Sequence, residues 1–166
     1  MRLHVVFLDS CGWGRVESRA ASIVSAALLL SHGIRRDAGV YVVLRCGGAY
    51  EWLYVDGGRV RNLRPDAESA RGLLRVFLAG RGGSAARRGS GLPGLGGRLV
   101  EVRVGRRLGA DPSLVCGGRG ALLYNHRGEY GAEAGVELPR PPRLPQHQVA
   151  MANVLLDRAC MDAGHY

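Results

Sequence analysis

The chain has 166 residues, 46% of them hydrophobic, and a formal net charge of +9. That length and apolar content fit one folded domain (1–166) and exclude a disordered chain; the longest apolar run, Ala26 to Leu30, is too short for a membrane span, and no signal-peptide pattern follows Met1, so a cytoplasmic location is expected. All 23 basic residues are arginine, whose planar fork suits phosphates and stacks on bases, so the charge points to a nucleic-acid partner; a GC-rich coding bias is the plain alternative for the missing lysine, but not for the net charge.

Leu3 to Leu8 is an apolar, Val-containing run bounded by Asp9-Ser10 and Gly12, which predicts a buried first strand. Val16 to Ser31 predicts a helix, with Ile23, Ala26, Ala27 and Leu30 at helical spacing and His32-Gly33 as its stop. Val40–Leu44 and Tyr50–Val55 read as strands, and Asp56-Gly57-Gly58 as a turn. Arg64-Pro65-Asp66-Ala67-Glu68 starts a second helix running to about Ala79, with Leu73, Leu74, Phe77 and Leu78 on one face. Residues 81–97 are Gly, Ser and Arg without periodicity and predict a flexible loop. Leu99–Val104, Ala121–Tyr124 and Gly135–Leu138 read as strands, the Pro-rich run from Pro139 to Pro145 as a stiff extended segment, and Leu144 to Cys160 as a last helix with Val149, Asn153, Leu156 and Cys160 on one side. Strands alternating with helices imply an α/β fold: a mainly parallel sheet with helices on both faces.

Several motifs lead nowhere. Gly89-Ser90-Gly91-Leu92-Pro93-Gly94 matches GxGxxG literally, but no strand precedes it and a strand, not a helix, follows, so it is no dinucleotide fingerprint. A phosphate-binding Walker loop is excluded because the chain has no lysine. Cys11, Cys46, Cys116 and Cys160 form no CxxC pair and the histidines sit at no ligand spacing, so no metal site is expected, and the thiols are read as reduced and packed as small apolar groups. Ser31 to Asp37 and Leu122 to Gly128 are polar loops at strand ends, read either as ordinary turns or as substrate-facing loops.

Gly14-Arg15-Val16, Ala26 through Asp37, Val40 through Leu44, Arg61 through Asp66 and Leu155-Leu156-Asp157-Arg158 together resemble the archaeal tRNA pseudouridine-54 N1-methyltransferase family of the SPOUT superfamily. The resemblance covers about 1–78 and 136–158. It implies a Rossmann-like sheet with a C-terminal trefoil knot, a homodimer, S-adenosylmethionine as cofactor and tRNA or another structured RNA as partner. The family's Leu-Gly-Asp-His-x-Gly loop corresponds to Leu123-Tyr124-Asn125-His126-Arg127-Gly128, its Ser-Leu-Gly loop to Glu137-Leu138-Pro139, and its entry to the last helix to Pro142 through His147. By that correspondence Val102, Tyr124, Gly128, Leu138, Pro139, Arg140, Leu144 and Gln148 are the expected cofactor contacts. Asp37 and His126 are the expected proton-handling residues, and Arg15, Arg19, Arg35 and Arg36 the expected RNA contacts. The chain departs from the family at Tyr124, Asn125, Arg143 and Gln148. Those departures leave an alternative, a non-catalytic RNA-binding homodimer without cofactor, and a plainer one, a dimeric structural protein.

Overall fold

In the computed structural model, residues 1–31, 33–105, 116, 120–132, 134–139 and 144–162 are described. The first strand, β1 (Arg2–Asp9), is buried along almost its whole length. Its nearly continuous apolar run, broken by His4, reflects burial on both faces, the mark of a central parallel strand. A short turn at Trp13–Arg15 leads into α1 (Glu17–Leu28), which buries Ala20, Ile23, Val24, Ala27 and Leu28.

The predicted helix ends three residues early. Leu29 is extended, and β2 (Leu29–Leu30) pairs antiparallel with β3 (Gly33–Ile34). The Arg35 amide donates to the Leu28 carbonyl at 2.6 Å, so the helix end closes on this small ladder and Gly33 is a strand residue, not a cap. His32 lies outside the described residues.

Next come β4 (Ala38–Cys46) and β5 (Ala49–Asp56), which pair antiparallel. Only Gly47-Gly48 joins them, both at positive φ (56° and 88°), and two residues are too few for a parallel crossover. Asp66 caps α2 (Ala67–Leu78) by accepting from the Ser69 amide at 2.7 Å, satisfying one of the helix's free amino-terminal amides. Ala70, Leu74 and Phe77 form its buried stripe.

The expected flexible loop at 81–97 is instead partly ordered into a turn at Gly83–Ala85 and β6 (Ala86–Ser90), which extends the sheet antiparallel to β5. The exposed edge of β5 supplies the hydrogen bonds that the segment's composition hid. The sheet is completed by β7 (Arg98–Gly105), β8 (Gly120–Tyr124) and β9 (Ala134–Pro139), and the described chain ends in α3 (Pro145–Asp162).

The seven strands run in the order β6-β5-β4-β1-β8-β7-β9. Along this order every pair from β4 to β9 is parallel, while β6–β5 and β5–β4 are antiparallel. The fold is therefore α/β with a mostly parallel sheet, as the sequence implies. One layer differs from expectation. Among the described residues all three helices pack on one face, where α1 meets α2 and α3 over Val6, Leu8, Val42, Leu122 and Leu138. The other face carries a smaller core of Val5, Phe7, Val43, Ala121 and Leu123, covered by Leu95, Leu99 and Tyr130. The connections 106–115 and 140–143, where a knot would be traced, lie outside the described residues.

The cysteine expectation is overturned. Cys11 is bonded to Cys46 and Cys116 to Cys160, with Cα separations of 4.8 and 5.3 Å, and no free thiol remains. The partners are 35 and 44 residues apart in sequence; the folding of β1 beside β4, and of α3 over the sheet, brings them together.

Candidate functional site

In an open parallel sheet, ligands bind beyond the carboxyl ends of the strands where the strand order reverses. From β1 the chain passes through α1 to β4 on one side, while β8, β7 and β9 fill the other. The reversal falls between β1 and β8, and the residues just past those strands are Asp9-Ser10 and Asn125-His126.

That edge holds a polar cluster. Arg45, at the end of β4, donates from Nε to Asp9 Oδ1 at 2.7 Å and from Nη1 to Glu129. Arg127 reaches Asp9 Oδ2 at 2.8 Å. Burial works against the Arg45 charge, yet its hydrogen bonds to Asp9 and Glu129 outweigh burial and hold the guanidinium more firmly protonated than usual. The hydrogen bond from Arg45 lowers the Asp9 carboxyl. For Glu129 burial pushes upward, but the Arg127 amide, its own amide and Arg45 bring the carboxyl below its ordinary range. The result pins the loop 125–130 across the ends of β1 and β4. Asn125 takes φ 57° and its side-chain amide donates to the Phe7 carbonyl at 3.1 Å, while Gly128 takes φ 86°. Asn tolerates that left-handed backbone better than most residues.

His126 sits in this loop with its side chain only 7% exposed. The Gly128 amide donates to its Nδ1 at 3.3 Å. Its Nε2 lies 3.2 Å from Glu101 Oε1, close enough for an ion pair but without hydrogen-bond geometry. A histidine facing a carboxylate on one side and a backbone amide on the other can exchange a proton with a bound group.

The remaining expected residues divide between the two ends of the sheet. Tyr124, Gly128, Leu138, Pro139, Leu144 and Gln148 all come from the ends of β8 and β9, the loop after β8 and the start of α3, so they share the His126 edge. Val102, Tyr124 and Leu138 turn their side chains into the core beneath the helices. Tyr124 is fully buried, and its hydroxyl meets His4 Nδ1 at 2.9 Å, so its bulky ring points away from the loop. Leu144 is exposed, and Arg140 lies outside the described residues.

Asp37 stands apart. It precedes Ala38, which pairs with Arg2, whereas His126 follows Tyr124, which pairs with Val6. An offset of about seven residues at ~3.3 Å each puts Asp37 roughly 23 Å from His126 along the strands, so the two cannot act on one proton.

Arg15 and Arg19 are exposed, in the turn after β1 and the first turn of α1, on the His126 edge. Arg36 is exposed at the opposite edge, where it donates to the Val60 carbonyl at 3.0 Å. Arg35 is 7% exposed, and its guanidinium makes two bonds to Asp157, at 2.9 and 2.5 Å. That commitment makes it a strut between the loop before β4 and α3, and removes it from any phosphate-facing surface. Both ends of the strut lie in the strings that carry the family resemblance.

Sequence reasoning missed Asp9, Arg45, Glu101, Arg127 and Glu129. A signal was present for Arg45, the one charge in an otherwise apolar strand, at a position that burial tolerates only with a partner.

The fold and site define an α/β protein with a polar cluster at a topological switch point. Over 55 residues the chain is 44% identical to the tRNA (pseudouridine(54)-N(1))-methyltransferase of Halobacterium salinarum (strain ATCC 700922 / JCM 11081 / NRC-1). The match takes in 33% of this chain and spans 26% of that relative's length. No protein-family model matches the chain.

Proposed function

We propose that the protein is a SPOUT-type RNA methyltransferase that uses S-adenosylmethionine and acts on tRNA, with N1 of pseudouridine as the target and a homodimer as the working form. The observation that carries this reading is the 44% identity to a tRNA methyltransferase. The switch-point position of the polar cluster supports it, because that edge is where such sheets bind ligands. A C-terminal trefoil knot belongs to the same proposal.

The residues present fit the cofactor. Tyr124 leaves the loop clear by turning into the core, Asn125 and Gly128 give it the tight left-handed turns that expose backbone groups, and Gln146 Oε1 at the start of α3 is buried without a hydrogen-bond partner among the described residues. The backbone of Tyr124 to Gly128, Leu138 to Arg140, and Leu144 to Gln148 would hold it. The cofactor supplies a methyl group already activated on sulfonium, so the protein's part is mainly alignment. The attacking ring nitrogen must lose a proton as the N–C bond forms. His126 would accept it at Nδ1 by giving up its 3.3 Å hydrogen bond from the Gly128 amide, with Glu101 facing Nε2 and stabilising the charged ring. Of the four arginines expected to meet RNA, Arg15, Arg19 and Arg36 are exposed and would contact its phosphates.

Calorimetry with S-adenosylmethionine at about 0.1 mM protein, a range that reaches weak sites, should give a binding isotherm. Incubation with labelled methyl donor and pseudouridine-containing tRNA should label the RNA. Absence of heat combined with tRNA binding would replace this reading with the cofactor-free RNA-binding one; absence of both would remove it.

A further inference from the structure

The sheet face without helices carries a second candidate site. Tyr41 lies 4.7 Å from Tyr54 and 5.4 Å from Trp52, centroid to centroid, as one aromatic layer over β4 and β5. Two glycines make room for it. A Cβ on Gly39 would stand 2.8 Å from the Tyr54 hydroxyl, and one on Gly89 would stand 2.3 Å from the Trp52 ring. Beside this layer is an open pocket of about 440 Å³ walled by Tyr41, Tyr54 and Arg87, floored by Leu3 and rimmed by Gly94 and Gly96. The glycine-rich segment that looked like a failed dinucleotide motif thus reaches from Gly89, under Trp52, to Gly94 on the rim. It is tethered by the Tyr130 hydroxyl, which donates to the Pro93 carbonyl at 2.6 Å.

The polar ends in this pocket are unspent. Arg87 is exposed, stacks 5.1 Å above the Tyr54 ring, and makes no hydrogen bond or ion pair among the described residues. Neither the Tyr41 nor the Tyr54 hydroxyl has a hydrogen-bond partner there. An aromatic wall, a single guanidinium and a glycine rim match a planar ring joined to one negative charge.

We propose that this pocket holds one unpaired nucleotide of an RNA strand, its base against Tyr41 and its phosphodiester on Arg87. A phosphodiester carries one charge, matched by Arg87, the one charged side chain among the pocket's described lining residues. Aromatic stacking beside an arginine is the general means of holding single-stranded nucleic acid. The site lies on the opposite sheet face from the three helices and toward the amino ends of the parallel strands, away from His126. It rests on the RNA-binding half of the reading above and not on methyl transfer.

The test uses the full chain, a 5′-labelled oligouridylate and low salt, with no methyl donor. Fluorescence anisotropy should show saturable binding, and Trp52 emission should change on binding. Arg87→Ala should weaken binding about tenfold or more, the scale of one lost stacked and charged contact. Gly94→Leu, at a rim glycine where an added Cβ would meet nothing within 4 Å, should weaken it similarly while leaving the melting temperature unchanged. Binding that both variants leave intact would overturn the site. Uridine monophosphate competing as well as the oligomer would overturn the strand and make the ligand a free nucleotide. A calorimetric failure of the methyl donor would leave this proposal standing.

Discussion

Asp157 shows how much one side chain organises. It takes two bonds from Arg35 and one from Arg2 at 2.9 Å, while Arg2 also donates to Asn153 at 2.8 Å. Burial alone would raise the Asp157 carboxyl, but the hydrogen bonds from Arg35 and Arg2, and then their charges, bring it below its ordinary range. Asp157→Ala strands two nearly buried guanidinium groups, so a loss of about 3–5 kcal/mol is expected in denaturant unfolding. Next to this cluster, burial and then the charges of Arg2 and Arg35 push His4 down to about 3. A histidine with a depressed folded value is neutral when folded and protonates when unfolded below pH ~6.5. Its contribution is complete above that pH and is lost as pH falls toward 3, on the order of 4 kcal/mol in all. Melting temperatures measured from pH 7 to pH 4 should therefore fall, and His4→Gln should flatten the slope whatever it does to the starting value. Under the proposed methyltransferase function, His126→Ala should lower methyl transfer by about a hundredfold or more without shifting the melting temperature, the usual range for one proton-transfer group. An unchanged rate would take His126 out of the chemistry.

Elements were more legible in the sequence than their partners. β1, β4, β5, β8 and β9 lie where alternating or continuous apolar runs put them, and α3 buries Val149, Asn153, Leu156 and Cys160 on the side their spacing indicates. The misses have one physical cause. Leu29–Leu30 continue a helical pattern but pair with Gly33–Ile34, and residues 86–90 have weak strand propensity but meet the open edge of β5. In both cases hydrogen bonds to a neighbouring strand override local preference. Arg35 follows the same logic: its partner is 122 residues away, so a buried strut reads in sequence as a surface charge. Gly57 offers an element-scale check. A Cβ there would stand 2.0 Å from the Arg35 carbonyl and 2.6 Å from the Ala38 carbonyl, both backbone atoms. Gly57→Ala must push the loop before β4 off the end of β5, and thermal unfolding should show a loss of at least about 2 kcal/mol.

For the whole molecule, the two disulfides matter as much as the sheet. In the chain-entropy account, loops of 35 and 44 residues give about 4 kcal/mol each. Reduction under native conditions should therefore lower the melting temperature by well over 10 °C, at roughly 2–4 °C per kcal/mol for a chain of this size. Disulfides of this kind belong to oxidising compartments or to the intracellular proteins of hyperthermophiles. Cysteine spacing alone revealed neither pair, because nothing in a spacing of 35 or 44 residues shows that the two ends meet.

The Cys116–Cys160 bond also closes a covalent ring around β8, the His126 loop, β9 and most of α3. Arg127, on that loop and 67% exposed, is a natural trypsin target inside the ring. A single cut there leaves both halves tied through sulfur. Nicked protein should run as one intact band on a non-reducing gel and fall into two fragments once a thiol is added. The candidate site is thus fastened to its scaffold twice, once by peptide and once by disulfide.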